Sequence, residues 1–289
     1  MSTPQLSIII VNYRSSDALE HCLRSLHVAT KASVEVIVVD NSPEEPTRDI
    51  LHQSGWHGHY FSQERNVGYT LAANFGAQHA AGEYICFLNP DTVLEAHCLD
   101  RLMVWIEQHP RSVAGPRERD ADGHIVTTAF PPVSRRAIWG ANLLYKLPWP
   151  RSWHPALPWL IPSYQYADLC RTADEAAAVP VLSGSCLVMA AATWREVGEW
   201  NDELTYFGLE SEWFARALDH GVRAWYIPEA VMFHEHATSI KRALPSRVRD
   251  EADHNRRWHA KRFGWVTLLI LAGILWLEHT LRPASQSKE

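Results

Sequence analysis

The stretch Gly82-Glu83-Tyr84-Ile85-Cys86-Phe87-Leu88-Asn89-Pro90-Asp91-Thr92 constrains the fold of this chain more than any other. The continuous apolar run from Tyr84 to Leu88, bounded by Gly82 and Pro90, describes a short strand covered on both faces, as in α/β sheets flanked by helices. Pro90 cannot continue a ladder and biases Asn89 towards extended backbone, so Asp91 is expected just past the carboxyl end of that strand. Ligands of open α/β sheets bind at that edge. Two uses of Asp91 compete: holding a divalent metal on a nucleotide diphosphate or, together with Thr92, capping a helix that begins near Leu94.

The segments before it have the same design. Residues 6–11 (Leu-Ser-Ile-Ile-Ile-Val) and 34–39 (Val-Glu-Val-Ile-Val-Val) read as strands that run into Asn12-Tyr13-Arg14 and Asp40-Asn41-Ser42-Pro43. Between them Ser15-Ser16-Asp17 opens a helix carrying Leu19, Cys22, Leu23 and Leu26 at helical spacing. Neither strand is followed by the glycine pattern of a dinucleotide fold or a P-loop, which disfavours a plain dehydrogenase or kinase. A third strand at residues 59–62 leads through Arg65-Asn66-Val67-Gly68-Tyr69 into a helix of small residues, Ala72, Ala73, Asn74, Gly76, Ala77 and Ala80. That helix must approach something closely, either the sheet or a ligand backbone.

Beyond Thr92 come an amphipathic helix with Leu99, Leu102, Trp105 and Ile106, a strand near 113–116, and a turn at Asp120-Ala121-Asp122-Gly123. Prolines and tryptophans break the pattern over residues 130–178, which read as an insertion packed over the sheet. It could line an acceptor site, meet lipid or be an ordinary loop. Order returns at 179–182, Ser183-Gly184-Ser185 and strand 186–189, with Thr193 placed to cap a short helix. A helix over 208–218 ends at Gly221, and strand 223–227 and Val231-Met232-Phe233-His234-Glu235-His236 close this part.

At 289 residues the chain has room for one large α/β domain or two small ones, and its net charge of -6 argues against general nucleic-acid binding. Five widely spaced cysteines fit a reduced, cytosolic setting. The first residues lack the basic, apolar and cleavage regions of a signal peptide, so export by that route is not expected.

Taken in order, these motifs resemble the family-2 inverting glycosyltransferases, above all the bacterial rhamnosyltransferase-like branch. The resemblance spans roughly residues 6–263 and rests on Ser7-Ile8-Ile9-Ile10-Val11-Asn12-Tyr13, Val38-Val39-Asp40-Asn41-Ser42, Asn66-Val67-Gly68-Tyr69 with Ala73-Asn74-Phe75-Gly76, Phe87-Leu88-Asn89-Pro90-Asp91, Ser183-Gly184, the helix from Gly208 to Arg216, and Pro228-Glu229-Ala230 with His234. The resemblance implies an α/β GT-A fold, a mostly parallel central sheet flanked by helices, over residues 1–240; the residues themselves add a basic helix and apolar tail over 241–289. It also implies a nucleotide-sugar donor, deoxythymidine diphosphate rhamnose first and a uridine diphosphate sugar next, with Mg2+ or Mn2+. By position, Asn12 and Tyr13 would border the base and Asp40 would accept a hydrogen bond from its ring N–H. Asn41, Arg65, Asn66, Gly68, Asn74, Asn89 and Gly184 would lie around the donor, and Asp91 and His234 would contact the metal. Asn89 stands where the family's Asp-any-Asp motif has its first acid.

Breaking a sugar–phosphate bond puts negative charge on the leaving diphosphate, which a divalent ion stabilises, and needs a base on the opposite face of the sugar. The candidate base is Glu210, which shares a helix face with Trp213, Phe214 and Ala217 at spacings of three, four and seven. In the family this position is usually aspartate, preceded by glutamate; here it is Glu210, preceded by Leu209. Glu212 points elsewhere and lies four before Arg216, as an ion pair would.

Eight basic residues between Lys241 and Arg262 precede the apolar run 265–277. As a helix that run is roughly 20 Å long against about 30 Å of hydrocarbon, so an in-plane or shallowly inserted anchor on the cytoplasmic membrane surface is expected. Packing on the catalytic domain or on a second copy of the chain, as a homodimer, is the competing use. The expected activity is transfer of a sugar to a saccharide or polyprenyl-linked acceptor in surface polysaccharide biosynthesis. The competing functions are a non-catalytic nucleotide-sugar-binding or scaffolding subunit and, less favoured, a nucleotidyltransferase.

Overall fold

The structure, a computed structural model, describes residues 3–134, 163–206, 208–234, 245–267 and 269–273. Most of the Pro/Trp-rich segment, His236 and the end of the apolar tail lie outside them.

The first half alternates strand and helix: β1 (Leu6–Asn12), α1 (Ser16–Ala29), β2 (Val34–Asp40), α2 (Thr47–Gln53), β3 (Gly58–Ser62), α3 (Tyr69–Gln78) and β4 (Tyr84–Leu88). It continues with β5 (Thr92–Leu94), α4 (Cys98–Gln108), β6 (Ser112–Arg119), β7 (Ile125–Val126) and β8 (Ala129–Phe130). After residue 162 come α5 (Ser163–Thr172), β9 (Ala177–Val179), β10 (Val181–Leu182), β11 (Cys186–Ala190), α6 (Ala191–Val197), α7 (Leu209–Asp219), β12 (Arg223–His234) and α8 (Pro245–Arg262).

The main sheet runs β3-β2-β1-β4-β11-β6-β12-β5. Its β3-β2-β1-β4 half is parallel and β6 also runs parallel to β12, whereas β11 lies antiparallel between β4 and β6 and β5 lies antiparallel to β12, so antiparallel strands are mixed into the largely parallel sheet. The continuous apolar strands follow from burial on both faces. Ile9, Val11, Ile37 and Phe87 join the α3 side with Trp194, Trp200 and Trp213, while Ile8, Ile10, Val38 and Leu88 meet α1 and α4 on the other. The small residues of α3 serve this packing: a Cβ on Gly76 would stand 2.7 Å from Ile9 Cγ2, so the close partner is the sheet.

Three local expectations are corrected. Asp91 and Thr92 cap no helix, because Thr92–Leu94 pairs with β12 and α4 starts only at Cys98, behind His97. Thr193 lies inside α6, whose N-cap is Ala190. The final strand runs on to His234 through an irregularity between Ile227 and Val231, which carries this histidine to the same edge as Asp91.

The α8 helix packs on Glu203 and Gly208: His254 Nε2 meets the Glu203 carbonyl at 2.9 Å, the Trp258 indole N–H donates to the Glu203 carboxylate, and His259 Nε2 lies 3.3 Å from the Gly208 carbonyl. Beyond the turn at Gly264, Trp265, Val266, Leu269 and Ile270 face outwards, while Leu271 is buried in a small cluster with Ala260, Phe263 and Val133. Among the described residues, no helix is long and apolar enough to cross a membrane.

Candidate active site

Strand register brings the polar strand ends to one edge of the sheet. Asn12 lies opposite Asp40, Asp40 opposite Ser62, and Leu88 opposite both Ile10 and Cys186. Asn89 and Asp91 therefore emerge beside Asn12 on one side and beside the 183–185 corner on the other. His234 reaches them from β12, directly opposite Thr92.

Four side chains form a continuous line at this edge. Asp91 Oδ1 lies 3.0 Å from His234 Nε2, His234 Nδ1 lies 2.9 Å from Glu118 Oε1, and Ser185 Oγ donates to Glu118 Oε2 at 2.7 Å. All four are buried. Burial alone would lower the imidazole pKa, but hydrogen bonds and charge from Asp91 and Glu118 outweigh it and raise His234 to about 9. The donor set fits a divalent ion: one imidazole nitrogen and one carboxylate oxygen 3.0 Å apart match neighbouring ligands of an octahedral ion with bonds of about 2.1 Å. Glu118 on the far ring nitrogen is the usual outer partner of a metal-binding histidine.

Glu210 approaches from the other side, in the first turn of α7, with Trp213, Phe214 and Ala217 of its face buried in the core. Its carboxylate takes hydrogen bonds from the N–H groups of Gly184 and of Glu210 itself. The side chain keeps a little accessible surface, but the protein around it is dense. Desolvation outweighs both hydrogen bonds and pushes the pKa up to about 7. Glu212, by contrast, is buried in a two-pronged pair with Arg216, at 2.8 and 3.0 Å, and Arg216 also donates to the Val197 and Glu199 carbonyls.

The turn at residues 66–68 joins the two halves. Asn66 Oδ1 accepts the Gly68 N–H at 2.8 Å and the Tyr206 hydroxyl at 3.3 Å, and Thr70 donates to the carbonyls of Leu204 and Thr205. Gly68, at φ +91°, has Thr205 Cγ2 where a Cβ would be. Tyr13 and Arg65 keep solvent access, and the half-buried Asn89 side chain has no hydrogen-bond partner among the described residues.

Residues 7–142 match the sequence profile of Glycosyl transferase family 2. That stretch is a family-2 glycosyltransferase domain. The chain is 26% identical, over 99% of its own length and 97% of the relative's, to the N-acetylglucosaminyl-diphospho-decaprenol L-rhamnosyltransferase of Mycobacterium tuberculosis. A hexosyltransferase of low-salt glycan biosynthesis from Haloferax volcanii is 24% identical over 73% of this chain and 61% of the relative. Among solved structures, S. aureus TarS (residues 1–349) in complex with UDP-GlcNAc superposes with a TM-score of 0.57 over 96% of this chain and 73% of that one, at 15% identity. GalNAc-T7 with UDP, GalNAc and Mn2+ gives a TM-score of 0.58 over 81% and 44%, at 17% identity. These neighbours share its GT-A fold.

Several residues expected around the donor of this glycosyltransferase have other partners. Asp40 is fully buried: its Oδ1 accepts from Asn12 and from the Ser42 N–H and hydroxyl, and its Oδ2 accepts from the Tyr60 hydroxyl. It organises the corner after β2 and presents no surface to a base. Asn41 uses both amide ends on the 66–68 turn. Asn74 clamps the backbone of Trp200 at 2.8 and 3.0 Å and lines a cleft of about 480 Å³ with Leu71, Phe75 and Asp202, a cleft that Asp91, His234, Glu118 and Ser185 do not line. Gly184 lies against Glu210. Asn12 points inwards, donating to Thr47 at 2.9 Å, while its buried Oδ1 has no partner among the described residues. Glu118 and Ser185 were not legible as site residues. Asp120, Asp122 and His124 also gather ligand-type atoms, but on a turn where Asp120 Oδ1 accepts the N–H groups of Asp122 and His124.

Proposed function

We propose that this glycosyltransferase is a metal-dependent inverting enzyme that moves a sugar from a nucleotide-diphosphate donor to a lipid-linked saccharide in glycan biosynthesis. The observation that carries the reading is the pairing, at one sheet edge, of a desolvated carboxylate on the 183–185 corner with the buried Asp91–His234 pair on the other side of it. Rhamnose on deoxythymidine diphosphate is the donor to test first, because the relative matching nearly the whole chain is a rhamnosyltransferase for a diphospho-decaprenol acceptor. A uridine diphosphate sugar is second, by analogy with the TarS complex.

In this reading Tyr13, Arg65, Asn66, Gly68 and Asn89 border the donor, with Asn12 beneath them. Asp91 and His234 hold the ion. A bound magnesium or manganese supplies positive charge that stabilises the leaving diphosphate. Glu210 takes the proton of the acceptor hydroxyl as its oxygen bonds to the anomeric carbon and the bond to phosphate breaks on the opposite face, which inverts the configuration. A pKa near 7 suits a base working at neutral pH.

The outward apolar residues after Gly264 and exposed Arg257, Lys261 and Arg262 suit an anionic membrane surface, which brings the chain to a lipid-linked acceptor. The test is transfer from a panel of nucleotide sugars to a diphospho-polyprenyl acceptor, with and without manganese, and NMR of the product's anomeric configuration. Inverted product supports the reading. Donor binding without turnover on any acceptor would favour a binding subunit instead.

A further inference from the structure

We propose that Glu118 and Ser185 are positioning residues: together they hold the His234 ring with Nε2 presented beside Asp91, and so preset the metal half of the site. This rests on the metal reading above and assigns a task to two residues outside it.

Glu118 is 1% exposed and Ser185 3%, and a carboxylate is not kept at such depth without partners that satisfy it. Here each oxygen has a directed one, His234 Nδ1 at 2.9 Å on Oε1 and Ser185 Oγ at 2.7 Å on Oε2. Strand pairing sets the His234 backbone opposite Thr92 but does not decide which ring nitrogen faces Asp91. Glu118 decides it, because Nδ1 is engaged on the side away from Asp91 and Nε2 is left towards it.

The connection closes on itself. The Ser185 carbonyl accepts the Asn89 N–H at 2.9 Å, and Asn89 lies two residues before Asp91. Asn89, Ser185, Glu118, His234 and Asp91 thus form a ring of contacts across the ends of β4, β6, β11 and β12. Neither metal-facing side chain can shift without straining the others. Gly184, next to Ser185, donates its N–H to Glu210, so the same three-residue corner fixes both halves of the site.

The experiment compares wild type with Glu118→Gln, Ser185→Ala and Ser185→Thr, which keeps the hydroxyl. Manganese affinity is read by electron paramagnetic resonance with UDP or dTDP present. The hydrogen-bonded Nδ1 proton of His234 is read by NMR in the metal-free protein. Glu118→Gln is expected to weaken manganese binding by about 10- to 100-fold, Ser185→Ala less, and Ser185→Thr to restore it, with metal-free nucleotide affinity unchanged. The His234 resonance is expected to shift or vanish in the first two variants. Unchanged manganese affinity in a folded Glu118→Gln protein would overturn the proposal, as would an unchanged His234 resonance. If Glu118→Gln does not fold, the serine pair carries the same readouts. Wild type that binds no manganese defeats the metal reading itself, and the His234 resonance then decides the positioning role alone.

Discussion

Gly184 and Glu210 fit together because Gly184 has no side chain: a Cβ there would stand 2.5 Å from Glu210 Oε1. The atom in the way is the end of a flexible side chain, so Gly184→Ala is expected to fold and to displace the carboxylate instead. A shift of about 1 Å in a reacting group can cost 10²-fold in rate. Steady-state kinetics should show kcat falling by about that factor, with donor KM and melting temperature nearly unchanged.

The raised pKa of Glu210 has consequences of fixed sign. As a base it must be ionised, so kcat/KM is expected to fall as pH drops below about 7, and Glu210→Gln to lower kcat by roughly 10²- to 10⁴-fold. In the unfolded chain the carboxyl ionises near 4.5, whereas the folded chain keeps its proton up to about 7. Wild-type stability should therefore decline as pH rises through that window, by an amount that Glu210→Gln removes. Urea denaturation of both proteins at pH 4.5 and pH 8 checks this.

Glu212 serves the fold, since its pairing with Arg216 locks α7 to the Val197 and Glu199 carbonyls. Removing the guanidinium in Arg216→Ala leaves a buried carboxylate unpaired. The expected loss is about 3 kcal/mol of stability, read by chemical denaturation, with little change in donor KM.

The outward face after Gly264 predicts lipid contact. Replacing Trp265 and Leu269, 73% and 61% exposed, by alanine should cut co-sedimentation with anionic vesicles severalfold while sparing turnover of a water-soluble acceptor. Equal recovery with vesicles would assign that face to another partner.

How far the sequence reaches depends on whether a feature is local. The alternation of Ile8 and Ile10 against Ile9 and Val11, and the inward direction of Glu210 set by Trp213, Phe214 and Ala217, are properties of a few consecutive residues and are visible in the string. The second helix, α2, has only seven residues and too short a periodic signal to stand out. Side-chain partnership is not local. Glu118 meets Ser185 from 67 residues away and His234 from 116, and nothing near it marks it as more than an acid on a strand. For the same reason the string does not show that Tyr60 and Trp200 bond to Asp40 and Asn74, two residues expected around the donor. The Gly184–Glu210 contact depends on two elements meeting, so resemblance could name the glycine but not its neighbour.

The central claim is that Asp91 and Glu210 act on opposite faces of one transferred sugar. Its most direct test is turnover of dTDP-rhamnose and UDP-sugars with manganese by wild type, Asp91→Asn and Glu210→Gln. The account predicts manganese-dependent transfer by wild type, and its loss in both variants while Glu210→Gln still binds nucleotide with manganese. Full activity in either folded variant, or wild-type transfer indifferent to manganese, magnesium and chelator, would contradict it.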